Sequence, residues 1–165
     1  MGPVEPDATW TTTPSGLKYL DVTIGDGEMP ESGAVVGVDY TGWTVAEGNQ
    51  FDSSKGPGRG VFNFPLGQGR VIPGWDEGIA TMRVGGERKL YIPPDLGYGA
   101  EGAGADIPPG ATLYFECELK AIETGFGAFV KMVPGGIPNI VITTLLLLSF
   151  IPYAIPPESR PDFYT

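Results

Sequence analysis

The 165-residue chain contains no histidine and one cysteine, Cys117. The first absence removes the commonest general base, a Ser-His nucleophile pair and any His-ligated metal. The second excludes an internal disulfide and a Cys-based zinc site. Positive charge is also scarce: 10 Lys and Arg stand against 20 Asp and Glu, a net charge of −10. Nucleic-acid phosphates are bound by basic patches, so no nucleic-acid partner is expected. Charged residues of both signs make up 18 % of the chain and apolar ones 41 %, which excludes a highly charged disordered polymer.

What the chain has in quantity is glycine and proline, 26 and 17 residues. At that density they read as disorder in a chain poor in aromatics. Here 8 Phe, 7 Tyr and 3 Trp can fill a core. The combination predicts short strands joined by many turns.

The chain changes character after about Glu123. Residues 1–124 carry 8 basic and 18 acidic side chains, whereas 125–165 carry two of each. No charge separates Lys131 from Glu158, and Ile140 to Ile151 reads IVITTLLLLSFI. Thr143, Thr144 and Ser149 are its polar side chains, and helices in lipid accommodate such hydroxyls. Pro138 suits a first helical turn and Pro152 disrupts continuation. The unbroken segment between them is about 21 Å long as a helix, short of a hydrocarbon core of about 30 Å. A full crossing therefore needs a kinked continuation towards Pro156. The expected organisation is an N-terminal extension (1–15), a folded domain (16–124), a linker (125–137), a transmembrane segment (138–157) and a C-terminal tail (158–165). Met1–Asp7 has neither the apolar run of a secretory signal nor an Arg-rich amphipathic pattern. A processed mature form and a tail-anchored protein both fit that opening.

Within 1–124, strand patterns are predicted at 17–24, 35–45, 49–54, 61–66, 86–92 and 111–122. Pro65 marks its segment as an edge strand or a strand end. Pro73 opens a short helix over GWDEGIATM, with Asp76 and Glu77 favourable to its dipole. Residues 93–110 form a long irregular loop. In the last strand Leu113, Phe115, Cys117 and Leu119 share one face, and Tyr114, Glu116, Glu118 and Lys120 the other. One sheet face packed on one short helix is an α+β plan. Asp76 and Glu77 could be proposed as paired carboxylates, but adjacent helical residues diverge. Gly67-Gln68-Gly69 and Gly56–Gly60 lack the Lys and Ser/Thr of a phosphate-binding loop. Cys117, on the inward face, reads as an inert core thiol.

Five motifs in fixed order carry a more specific signal. They are VDYTG at 38–42, FDSS at 51–54, FPLGQGRVIPGWDEGI at 64–79, GERKLYIPPDLGYGA at 86–100 and IPPGATLYFECEL at 107–119. Residues 16–123 resemble a complete FKBP domain, the peptidyl-prolyl cis-trans isomerase family that also binds macrolides. The resemblance implies an FKBP-like antiparallel sheet wrapped around one short helix, to which the apolar C-terminal membrane helix is appended. It also implies a pocket. Tyr40, Phe51, Asp52 and Phe62 would form its wall, with Asp52 holding Tyr40. Val71 and Ile72 precede the helix, and the Ile72 N–H would donate to a ligand carbonyl. Trp75 would be the floor, Tyr98 a hydroxyl donor, and Ile107 and Phe115 would complete the enclosure. The stretch EGAGAD at 101–106 departs from the family, with Ala103 and Ala105 where many members carry bulk. That departure bears on macrolide affinity and substrate preference.

The chemistry suits the residues. Rotation about a prolyl amide faces a barrier of about 18–20 kcal/mol because resonance gives it double-bond character. A twisted amide has lost that resonance and is less dipolar, so an apolar aromatic pocket favours it over the planar ground state. A thousandfold acceleration asks for about 4 kcal/mol. No nucleophile, metal, cofactor or titrating base is required. Two functions follow: a membrane-anchored prolyl isomerase acting on proline-containing polypeptides, and an FKBP-like structural subunit of an integral membrane complex, packing through residues 138–155. The opening 15–43 resembles plastid-type and bacterial members. A single-pass thylakoid protein with its domain in the lumen is the expected location, and a cytosol-facing tail anchor its rival.

Overall fold

The computed structural model describes residues 2–123. Among these residues seven strands form one antiparallel sheet, and a single α-helix packs against it. The strands are β1 (Thr11–Thr12), β2 (Lys18–Thr23), β3 (Val35–Thr44), β4 (Gln50–Ser53), β5 (Phe62–Pro65), β6 (Glu87–Ile92) and β7 (Leu113–Glu123); the helix α1 is Pro73–Ala80. The order across the sheet is β1-β2-β6-β7-β3-β4, and β5 pairs with β3. The long β3 pairs with β7 along one edge and is shared by two strands on the other: Val35–Val38 pair with β5, and Thr41–Trp43 with β4. Pro65 ends β5 opposite Val35, on a strand with no second neighbour, where its missing N–H costs no ladder bond.

Alternation puts Leu113, Phe115, Cys117 and Leu119 of β7 inside, none more than 3 % exposed. They join Val36, Val38 and Tyr40 from β3, Leu90 and Ile92 from β6, and Trp75 and Ile79 from α1. The helix lies close to β6 because two glycines, one turn apart, face it. A Cβ on Gly74 would come within 2.7 Å of the Ile92 side chain, and one on Gly78 within 2.7 Å of Leu90. Asp76 and Glu77 diverge as expected. The Asp76 carboxylate accepts from the amides of Gly67 and Gly69 (2.8 and 3.1 Å), while Glu77 accepts from the Ser15 hydroxyl. The glycine loop before α1 is thus closed on the helix's own acid. Arg88 crosses beneath the other end of α1. It is 5 % exposed, donates to the Gly78 carbonyl and Thr81 hydroxyl, pairs with Asp21 at 2.6 Å and lies over the Tyr19 ring. Those partners offset the desolvation of a buried guanidinium.

The outer face of β7 is less polar than its sequence suggests. Tyr114 is fully buried there, in a second cluster with Trp10 and Trp43. The first fifteen residues supply that cover: Trp10 packs on Tyr114 and Tyr91, and Thr11–Thr12 add β1 to the sheet beside β2. The Glu5 carboxylate accepts from the Tyr91 hydroxyl nearby. Among the described residues no helix is long and apolar enough to cross a membrane. The linker, the membrane segment at 138–157 and the tail lie outside the described residues.

Candidate active site

A cavity of about 330 Å³ opens where α1 meets the sheet. Tyr40 and Phe115 come from the two central strands, β3 and β7. Phe51 and Asp52 come from β4, Phe62 from β5, and Val71, Ile72 and Trp75 from the entry to α1. Tyr98 comes from the loop after β6, and two arginines, Arg59 and Arg70, complete the lining.

The rings form one interlocked set. Trp75, 4 % exposed, meets Tyr40 at 4.9 Å and Phe115 at 5.2 Å between centroids, both nearly edge-on. Phe62 and Phe64 flank it at 6.1 and 5.7 Å. Phe51 stands edge-on to Phe115 at 5.5 Å. Such T-shaped pairs add about 0.5–1.5 kcal/mol each beyond the area they bury. The Trp75 indole N–H is buried without a hydrogen-bond acceptor. The floor of the cavity therefore offers ring faces and edges in place of saturated polar groups.

Gly42 makes room for this arrangement. A Cβ there would lie 2.5 Å from the Phe115 ring and 2.8 Å from Phe51. Both neighbours are rigid rings, so neither yields by a simple torsion. Gly42→Ala is expected to destabilise the fold by about 1–3 kcal/mol through overpacking. Urea unfolding of the variant checks it, and an unchanged midpoint would show that the rings shift freely.

Polar groups converge on one side. The Tyr40 hydroxyl donates to the Asp52 carboxylate at 2.5 Å. Arg59 donates to the same carboxylate at 2.8 Å and to the Tyr40 oxygen at 3.4 Å. The Tyr40 backbone is held in turn, its N–H donating to the Ser54 hydroxyl, which donates to Asp39. Burial and the neighbouring Asp52 carboxylate push the Tyr40 hydroxyl up to about 12. Tyr98 is raised in the same direction, by burial first and by Asp52 second. Both phenols therefore stay protonated donors at neutral pH.

Two further donors are uncommitted. The Tyr98 hydroxyl makes no hydrogen bond among the described residues, and the side chain is 41 % exposed. The Ile72 N–H likewise donates to nothing there, although the Ile72 carbonyl accepts from Trp75 and Asp76. Ile72 caps α1 ahead of Pro73, where the chain is still extended (φ −58°, ψ 146°), so its amide is not drawn into the helix.

Nine of the ten residues named from sequence line this cavity: Tyr40, Phe51, Asp52, Phe62, Val71, Ile72, Trp75, Tyr98 and Phe115. Ile107 is buried in the core behind it and is not among its lining residues. Its backbone pairs with Ala103 across the loop instead, closing the stretch that carries the small residues. Arg59 and Arg70 were not identified from sequence. The signal for both was a cation inside a Gly/Pro-rich loop next to an aromatic strand. Among the described residues no group of three or more His, Cys, Asp or Glu is placed to hold a metal ion.

The comparisons agree with this geometry. A family model described as FKBP-type peptidyl-prolyl cis-trans isomerase matches residues 26–120. The chain is 52 % identical over 104 residues to FK506-binding protein 1 of Dictyostelium discoideum, covering 63 % of this chain and 95 % of that one. It is 50 % identical over 115 residues to FK506-binding protein 4 of the same organism, covering 70 % of this chain and 30 % of that longer relative. Among solved structures, the crystal structure of AtFKBP13 superposes with a TM-score of 0.65 at 36 % identity, covering 69 % of this chain and 98 % of that one. A sheet wrapped on one helix, an aromatic cavity at their junction and these matches place the chain in the FKBP-type peptidyl-prolyl cis-trans isomerase family.

Proposed function

We propose that the cavity binds a proline within a polypeptide and accelerates rotation about the preceding amide. One observation carries the reading: a cavity walled by aromatic rings whose uncommitted donors, the Tyr98 hydroxyl and the Ile72 N–H, stand at its edge. The donors hold a peptide carbonyl and fix the chain. The proline ring enters against Trp75, Phe51 and Phe115. There the less dipolar twisted amide is favoured over the planar one, because the walls solvate dipoles poorly. Asp52 acts through Tyr40, setting the angle of that wall, and does not itself exchange a proton. The test is a refolding reaction limited by proline isomerisation, a phase of tens to hundreds of seconds without a catalyst. The full chain is expected to shorten that phase in proportion to its concentration, and an unaltered phase would contradict the reading.

A mechanism without a titrating base predicts a flat profile. kcat/KM is expected to stay level between about pH 6 and 9, where bell-shaped behaviour would otherwise report an essential acid or base. Stability behaves differently. Folding raises the Tyr40 pKa to about 12, so its contribution is fully present below the ordinary tyrosine value and is lost as pH rises towards 12. Kinetics and denaturant titrations over that range check both statements.

We further propose that residues 138–157 anchor the chain in a membrane, where tethering raises its effective concentration near membrane clients. The uncharged run from Ile140 to Ile151 supports this. Residues 15–43 resemble plastid-type and bacterial members, and on that resemblance the membrane proposed is the thylakoid, with the domain in the lumen and a cytosol-facing tail anchor as the rival. Alkaline extraction of isolated thylakoids is expected to leave the chain in the pellet, and its release into the supernatant would remove the anchor. The structural-subunit reading draws on the same apolar segment and has no support from the cavity, whose donors are free.

A further inference from the structure

The domain is strongly acidic, yet one stretch of it is purely basic. Between Asp52 and Asp76 the chain has Lys55, Arg59 and Arg70 and no acid. This stretch forms one side of the aromatic cavity. The loop 93–110, which contributes Tyr98 to the same cavity, carries Asp95, Glu101 and Asp106 and no cation.

The three cations are not equivalent. Lys55 lines a separate cavity with Glu87, Glu116 and Glu118. Arg59 lines the aromatic cavity, but its guanidinium is committed to the Asp52 carboxylate. Arg70 lines the same cavity, is exposed, and makes no hydrogen bond or ion pair among the described residues. Its nearest acid in sequence, Asp76, is occupied by the amides of Gly67 and Gly69. Those two bonds also clamp the backbone just ahead of Arg70, and Val71 and Ile72 follow it into the wall. Arg70 is therefore a cation with no partner among the described residues, on a backbone held just ahead of it, lining the same cavity as Ile72.

We propose that Arg70 is a specificity-determining residue, selecting polypeptides that carry a carboxylate within two residues of the proline. The inference rests on the isomerase reading and refines it. An extended peptide advances about 3.3–3.6 Å per residue, so a side chain two positions from the proline lies about 7 Å along it. A cavity of about 330 Å³ takes the proline and its neighbour and leaves that side chain at the rim, where Arg70 stands. Arg is suited to the task, since its fork meets a carboxylate through two parallel N–H bonds. The overall negative charge makes the effect informative, because the domain as a whole repels an acidic peptide.

The test compares host peptides with one proline that differ in a single residue, Glu, Gln or Lys, placed two positions before or two positions after it. Exchange NMR reads kcat/KM for the full-length chain, for Arg70→Gln and Arg70→Glu, and for Lys18→Gln as a charge control on β2. An exposed pair supports a preference of about two- to five-fold for Glu over Lys in at least one register. The ratio is expected to fall to one or below in Arg70→Gln, to invert in Arg70→Glu, and to persist in Lys18→Gln. It is also expected to shrink between about 0.05 and 0.5 M salt, as a screened interaction does. The same Glu-to-Lys ratio in the wild-type chain and Arg70→Gln, with the Gln peptide still accelerated, overturns the proposal alone. No acceleration of any peptide overturns the isomerase reading and this proposal with it.

Discussion

Trp75→Ala is expected to lower the free energy of unfolding by about 3–5 kcal/mol, the range for truncating a large buried aromatic. The residue is 4 % exposed and touches rings from three strands, Tyr40 of β3, Phe62 and Phe64 of β5, and Phe115 of β7. Its removal leaves a void where α1 meets the sheet. Helix and sheet cannot close over it without displacing the close contacts of Gly74 and Gly78 with β6. Trp75→Phe separates packing from chemistry. It keeps a ring in the site and removes an indole N–H that has no acceptor. The loss of volume and the relief of an unsatisfied donor oppose each other, so the net cost is expected to stay below about 1.5 kcal/mol. Thermal and urea unfolding of the two variants give both numbers. Equal destabilisation by Ala and Phe would mean that Trp75 is held by something other than its aromatic neighbours.

The largest loss of activity among folded variants is expected from Asp52→Ala. The carboxylate accepts from the Ser53 N–H and has two side-chain partners of different worth. Its pair with Arg59 is exposed on both sides, 51 % and 39 %, and such pairs contribute about 1 kcal/mol at most. Its bond from Tyr40 is short and charge-assisted, with a buried phenol as donor, and bonds of that kind contribute about 1.5–3 kcal/mol. The Tyr40 bond therefore dominates. Without it the phenol loses its acceptor and the wall beside Trp75 loses its orientation. A loss of about 10- to 100-fold in kcat/KM is expected for Asp52→Ala, at 1.4 kcal/mol per factor of ten. Asp52→Asn, which keeps an acceptor, is expected to recover part of it. Arg59→Gln is expected to cost about five-fold or less. A larger effect from Arg59 than from Asp52 would assign the role to the cation.

Most of the fold was legible in the sequence because turn signals bound its strands and β6 and the middle of β7 alternate; β3 is buried along nearly its whole length. The inward set on β7 followed from period-two spacing alone, and Pro65 and Pro73 marked an edge and a helix start for stated steric reasons. Two features escaped. Thr11–Thr12 is too short for any periodicity to register, so β1 is set by its partner strand. Tyr114 fell on the nominally polar face, where its burial depends on Trp10, a hundred positions away in sequence. The cavity was legible for a different reason. The motifs name aromatics far apart in the chain, which periodicity cannot do, and nine of the ten residues line one cavity. Ile107 is buried in the same core cluster as Tyr40, Trp75 and Phe115, and its backbone bridges to Ala103. Arg59 and Arg70 lay in loops whose glycines hide any pattern, and their meaning comes from which acid each one meets in space.

The central claim is that this aromatic cavity turns over prolyl amides. Exchange NMR of a single-proline peptide, with the full-length chain in substoichiometric amount, tests it most directly. Cis and trans resonances are expected to exchange far faster than in the free peptide, with the acceleration falling in Asp52→Ala and in Phe51→Ala. Exchange at the uncatalysed rate, from a chain shown to be folded by its dispersed methyl and aromatic resonances, would contradict it.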